Sequence, residues 1–298
     1  MSAGRPGQRA RWRPGAVDWL LLVGLAVFAG YVYYQLRHVL VYRWDWQSVL
    51  QFFAYRDEAG EWQQNLLLAG LEATLRIAIF SAILSLVLGL VLALMRVSSR
   101  LWPRMVARTY VELVRNTPPL VFLFIFYFFI SAQLFPVLGI DRVIAALAES
   151  DSALVLWLLG DPRLVENLVV GILCLSCFEA AYVSEVLRAG IESVGKDQRE
   201  GALAVGLTGT QTMWHVVLPQ AVRIVIPALV GQLITLVKDT SIMSIISIQE
   251  LAFSAQEVAV STDRVFEVWI LVALIYFVIC YALSALSRRL ELRRAVGR

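Results

Sequence analysis

Six stretches of the chain run long, apolar and nearly free of charge: Ala16–Leu36, Leu71–Met95, Leu120–Leu138, Leu164–Ala181, Ile224–Ile248 and Val265–Leu286. A bilayer core of about 30 Å takes ~20 helical residues at about 1.5 Å each, so every stretch is long enough to cross it. No ten-residue segment alternates polar and apolar, which excludes a membrane β-barrel. The first stretch is read as an anchor, not a cleaved signal, because its apolar run is long and no A-x-A site follows. Composition agrees: 59% of the 298 residues are hydrophobic and 16% charged, against about a quarter charged in soluble domains. A formal charge of +3 is too small to predict nucleic-acid binding. Cys174, Cys177 and Cys280 lie in apolar runs and predict no disulfide framework. The expected fold class is an all-α membrane protein with six transmembrane helices.

Basic residues orient the spans. Eighteen of the 26 fall on one side: in the amino-terminal tail (Arg5, Arg9, Arg11, Arg13), after spans two and four, and in the carboxyl tail. Six fall on the other side, and Arg76 and Lys238 lie within spans. That asymmetry predicts both termini in the cytoplasm, which an even number of spans requires. The first external segment, Arg37–Asn65, is rich in aromatic rings and is expected to lie along the outer surface. The second, Gly139–Arg163, holds an apolar run, Ala153–Leu159, that is too short to span and reads as an interfacial helix. The longest internal loop is Tyr182–Arg223, where a cytoplasmic partner would dock.

Within that loop stand Glu200-Gly201-Ala202, then Gly206-Leu207, then Val216-Val217-Leu218-Pro219. The pattern predicts a short helix, a turn at Gly206 with φ > 0, and a second helix starting near Thr208. Pro219, with no N–H to donate, predicts a break before span five. The same residues also fit an ordinary amphipathic loop between spans.

Glu-x-Ala, three residues, Gly, nine residues and hydrophobic-x-Leu-Pro resembles the EAA loop of ABC importer permeases. The strings around it resemble the polar amino-acid branch: Ala181-Tyr182-Val183-Ser184-Glu185-Val186-Leu187-Arg188, Leu218-Pro219-Gln220-Ala221, Lys238-Asp239-Thr240-Ser241 and Glu112-Leu113-Val114-Arg115-Asn116-Thr117-Pro118. The resemblance runs from about Gly70 to Leu286. Gly201 stands where the family usually has alanine, a change that loosens the helix by up to ~1 kcal/mol.

The resemblance implies a five-helix permease core at 66–298, with a coupling loop near 196–219. Residues 1–65 would add the tail, an anchor helix and the external segment. It further implies a permease subunit of the bacterial cytoplasmic (inner) membrane that moves polar amino acids by alternating access. Glu200, Ala202, Gly206, Leu207, Leu218 and Pro219 would engage separate ATPase subunits. Those subunits would use ATP and magnesium, this chain binding no cofactor. A second permease, identical or sister, an extracytoplasmic amino-acid-binding protein and membrane lipid complete the expected partners. The alternative is an ion-coupled secondary transporter or channel, which usually shows inverted repeats; none is evident here.

Other motifs carry less. Gly190–Lys196 fits seven positions of a phosphate-binding P-loop, but Asp197 stands where a hydroxyl should reach magnesium and a membrane helix precedes it. Cys174 and Cys177 have C-x-x-C spacing without enough further ligands for zinc, so they read as helix-packing residues. No catalytic constellation stands out. Ionisable residues inside spans cost ~2–3 kcal/mol if they face lipid, which draws attention to Glu72, Arg76, Glu179, Lys238 and Asp239. Arg76 reads as snorkelling to the surface, and Lys238 and Asp239, whose side chains point about 100° apart on a helix, read as structural ion pairing with partners elsewhere in the bundle. Glu179 reads either as a solvated carboxylate at the cytoplasmic end of span four or as part of a substrate path with Lys238, Asp239, Thr240 and Ser241. In the second case its charge would suit zwitterionic or basic amino acids.

Overall fold

The computed structural model describes residues 15–38, 42–150 and 152–296. The amino-terminal tail arginines, and the Ser2 and Gly297 positions, lie outside the described residues. Two compact units divide between Asp45 and Trp46. The first contains one long apolar helix, α1 (Ala16–His38). The second begins with a short helix, α2 (Trp46–Leu50), and an antiparallel hairpin, β1 (Ala54–Arg56) with β2 (Trp62–Gln64), in which Tyr55 pairs with Gln63. Asp57 closes the hairpin by accepting from the Ala59 and Glu61 amides and from Gln63. The Gln63 bond, then the Glu61 amide, hold its carboxyl below the usual range. The expected boundary at residue 65 therefore moves: Trp46–Asn65 belongs to the core unit, because Val49 is buried with Leu67, Leu251 and Val268.

The remaining helices are α3 (Leu66–Arg96), α4 (Leu101–Arg115), α5 (Pro119–Leu138), α6 (Ile140–Ala148), α7 (Ala153–Leu159), α8 (Val165–Ser193), α9 (Lys196–Ala204), α10 (Gly209–Ile246), α11 (Leu251–Thr262) and α12 (Val265–Val296). Among the described residues six helices are long and apolar enough to cross a membrane, and each contains or closely overlaps an expected span. The expected interfacial helix is α7, with the expected bounds. Several helices were not anticipated, among them α4, whose Ala107, Val111 and Val114 are buried at helical spacing while Arg104 and Arg108 are exposed, and α11.

The core is built on α3 and α8, which run parallel; α10 runs antiparallel to α8. Along α3 the buried positions Gly70, Thr74, Ala78, Ser81, Ser85, Gly89 and Ala93 form one small-residue stripe. Membrane helices associate through such stripes, since lipid removes most hydrophobic drive and close backbone approach supplies dispersion contacts. The approach is tight: a Cβ at Gly89 would lie 2.5 Å from Val183, and one at Gly190 would lie 2.0 Å from Val225. The glycine that opens the P-loop look-alike is thus a packing residue inside α8, with no loop around it to cradle a phosphate.

At α11, Glu250 is fully buried and caps the helix by accepting from the Phe253 amide. Its other oxygen accepts from Tyr276 at 2.7 Å and Thr74 at 3.2 Å, which fastens α11 to both α12 and α3.

Candidate functional site

The predicted coupling loop forms as a helix, turn and helix. Helix α9 ends in a Schellman motif: Gly206 N–H bonds to Leu203 O at 3.0 Å, and Leu207 N–H reaches back to Ala202 O at 3.2 Å. Gly206 carries φ +90, a region that side chains disfavour, while its surroundings are open. Conformation alone therefore demands glycine. Thr208 then opens α10 with a reciprocal capping box to Gln211. The motif residues Ala202, Gly206 and Leu207 are joined by backbone bonds, with Ala202 buried.

Pro219 does not break the chain. Helix α10 continues through it because Met213–Val217 widens into a π-helical turn. Leu218 N–H bonds to Met213 O, and the Gln220 amide donates to Val216 O at 2.9 Å. A proline inside a helix can be accommodated where a widened turn and side-chain donors satisfy the displaced carbonyls. Leu218 packs on a cluster of Ala93, Ile191, Val217 and Ala221 beneath the loop. Glu200 is exposed and has no ion pair among the described residues. Near it Leu203 and Val205 are also exposed, Val205 by 80%. The loop thus presents an apolar patch beside a free carboxylate.

Next to this loop, Glu185 of α8 sits among three arginines. It pairs with Arg96 from α3 at 2.5 Å, Arg115 from α4 at 3.3 Å and Arg188 from its own helix. Arg188 also holds Glu192. Arg199 donates to Ile191 O and ties α9 to the end of α8. This network had no place in the sequence reading, although Glu185 and Arg188 lie in the matched string.

Glu179 is not a helix-end residue. Because α8 extends to Ser193, Glu179 falls near the middle and has no exposed surface. Oε2 accepts from Gln232 of α10 at 2.6 Å, and no donor among the described residues reaches Oε1. It lines a cavity of about 240 Å³ with Ser85, Gln232 and Leu236. Asp239 lies close enough to interact with it electrostatically. Lys238 is exposed, and neither it nor Asp239 forms an ion pair within 4.0 Å among the described residues. The expected ion pairs with other parts of the bundle are absent among the described residues, where Asp239 faces the acid Glu179 and Lys238 is exposed. Thr240 and Ser241 turn back onto Val237 O and Lys238 O, where the helix tightens to 3-10 geometry. Glu179, Asp239 and Gln232 are brought together; Lys238, Thr240 and Ser241 are not part of that group.

The profile of the family described as binding-protein-dependent transport system inner membrane component matches residues 85–296. The chain belongs to that family. Relatives are consistent with it. The glutamate/aspartate import permease protein GltK of Escherichia coli O6:H1 is 31% identical over 255 residues, 86% of this chain and 100% of that protein. The L-cystine transport system permease protein TcyB of Bacillus subtilis is 36% identical over 229 residues, 76% of this chain and 86% of that protein. The probable glutamine ABC transporter permease protein GlnM, also of B. subtilis, is 36% identical over 186 residues, 61% and 73%. A solved structure described as an amino acid ABC transporter with histidines superposes with a TM-score of 0.60 at 30% identity, covering 76% of this chain and 94% of that one. This inner membrane component is a multi-pass membrane protein and a permease subunit of an ATP-driven importer. The secondary-transporter alternative is not favoured.

Proposed function

We propose that this inner membrane component carries polar amino acids inward, both termini lying in the cytoplasm, and that the loop 196–219 delivers the work of separate ATPase subunits. The loop geometry carries the reading: a Schellman turn at Gly206 and a capping box at Thr208 hold a rigid, exposed knob at the arginine-rich end of the bundle. Leu203 and Val205 offer apolar contact, and Glu200 supplies a charge for the partner to meet. Ala202, Leu207, Leu218 and Pro219 shape and seat the knob. The ATPases hold ATP and magnesium; this chain holds no cofactor and catalyses no reaction. A second permease, identical or sister, lines the other half of the path, and an extracytoplasmic binding protein delivers substrate. Closure of the ATPases on ATP draws the two knobs together and shifts the population to the outward-open state.

Glu179 is the charge along the path. A buried carboxyl with an oxygen that no donor reaches is costly unless a cation or proton completes it, and the ammonium group of an amino acid fits that need. Its partners are relatives in space, Gln232 and Asp239; Lys238, Thr240 and Ser241 shape the bend that follows.

Uptake by proteoliposomes holding this chain, its co-purifying ATPase and the binding protein tests the reading. ATP-dependent accumulation of a labelled polar amino acid is expected, and accumulation without ATP or binding protein contradicts it. For orientation, cysteines at Ser2 and Gly297 should resist impermeant reagents applied outside cells, while one at Asp57 should label. Labelling at either terminus would reverse the topology.

A further inference from the structure

A second cavity lies at the end of the bundle away from the arginine network, and neither the coupling loop nor Glu179 uses it. Its volume is about 380 Å³, inside the range of ~300–1,000 Å³ common for small-molecule sites. Its polar lining includes Glu72 and Arg76 of α3, Asp161 and Asn167 at the start of α8, and Gln249 and Glu257 at α11. Arg76, expected to snorkel outward, is held in place instead. Its Nη2 donates to Glu72 Oε2 at 3.2 Å, and its Nη1 lies against the turn between α7 and α8. A Cβ at Gly160 in that turn would be 2.7 Å from Nη1. Gly160 also has φ +81 and ψ −140, a conformation close to one that only glycine adopts readily. Backbone and space both select glycine where the guanidinium passes.

Arginine has five N–H donors in a fixed fork that suits a carboxylate. The Glu72 bond occupies one, so Arg76 presents a fixed cation, 28% exposed, on one wall of the cavity. Glu72, Asp161 and Glu257 supply three carboxylates on the same lining. A zwitterion matches one cation facing several anions, and the surplus of anions favours a second positive group.

We propose that this cavity is a reception site for an L-α-amino acid with a neutral or cationic side chain. The substrate's carboxylate is held by Arg76, and its ammonium by Glu257 with Glu72 and Asp161. The proposal rests on the amino-acid reading above and adds a site separate from Glu179, at the end where that reading places the binding protein.

Equilibrium binding of labelled L-arginine to the purified complex without binding protein tests it, in the Glu179→Gln background so that the inner carboxylate does not contribute. Saturable binding is expected, weakened at least tenfold by Arg76→Gln and by Glu257→Gln. Agmatine, which lacks the carboxylate, should lose affinity with Glu257→Gln only. Absence of saturable binding, or unchanged affinity for L-arginine in both variants, overturns the site and leaves Arg76 a structural clamp on Gly160. Should Arg76→Gln fail to assemble, the exposed Glu257 decides alone. A complex that still imports an amino acid while both variants bind normally contradicts this site only. One that imports no amino acid at all contradicts the transport reading beneath it.

Discussion

Two carboxylates on α8, six residues apart, live in opposite circumstances. Glu185 keeps a quarter of its side chain in solvent and is surrounded by Arg96, Arg115 and Arg188 from three helices. Glu179 has no exposure, one neutral partner and one unbonded oxygen, with another acid nearby. Neutralised charge of the first kind holds helix ends together. A buried acid of the second kind, with no cation paired to it among the described residues, is retained at a cost in stability, and a polar solute passing through can offset that cost. The same helix therefore has an anchored end beside the coupling loop and a receptive middle.

The largest expected effect comes from removing the anchor. Glu185→Ala leaves three arginines facing one another and should cost about 2 kcal/mol of stability. That is less than the ~3–5 kcal/mol of a fully buried pair because solvent screens the site. The amount of intact complex extracted from membranes, and its thermal midpoint, should both fall; unchanged values would mean that the network is ornamental.

Glu179→Gln inverts the pattern. It keeps the shape, removes the charge and lets a neutral amide face Gln232, so assembly should be unaffected while uptake drops about tenfold, the equivalent of ~1.4 kcal/mol. Equal uptake would erase the contrast between the two carboxylates.

Arg115→Gln should do least. Its guanidinium is half-exposed and 3.3 Å from Glu185, and a pair of that kind is worth about 0–1 kcal/mol. A loss as large as that of Glu185→Ala would place the weight of the network on α4 and not on α3.

How much of this was legible in the sequence depends on where each signal resides. Spans are visible because lipid punishes every charge, so the six apolar runs stand out without reference to neighbours. Gly206 and Thr208 were legible because turn and cap chemistry is local. The partners of Glu179 and Glu185 were not, since Gln232 and Arg96 lie far away in sequence. Helix α4 was obscured by its arginines, although Ala107, Val111 and Val114 already mark a buried face at helical spacing. Pro219 misled because a local rule predicts a break, whereas the π-helical turn that absorbs it comes from the segment before it.

The central claim is that the loop 196–219 links an ATPase to the path, and Gly206→Val tests it most directly. The position has room for the side chain but a φ of +90 that a β-branched residue resists. The substitution should leave the spans inserted while deforming the knob. In proteoliposomes with the ATPase and loaded binding protein, the account predicts loss of substrate-stimulated ATP hydrolysis with normal membrane content of the chain. Full stimulation in that variant would contradict it.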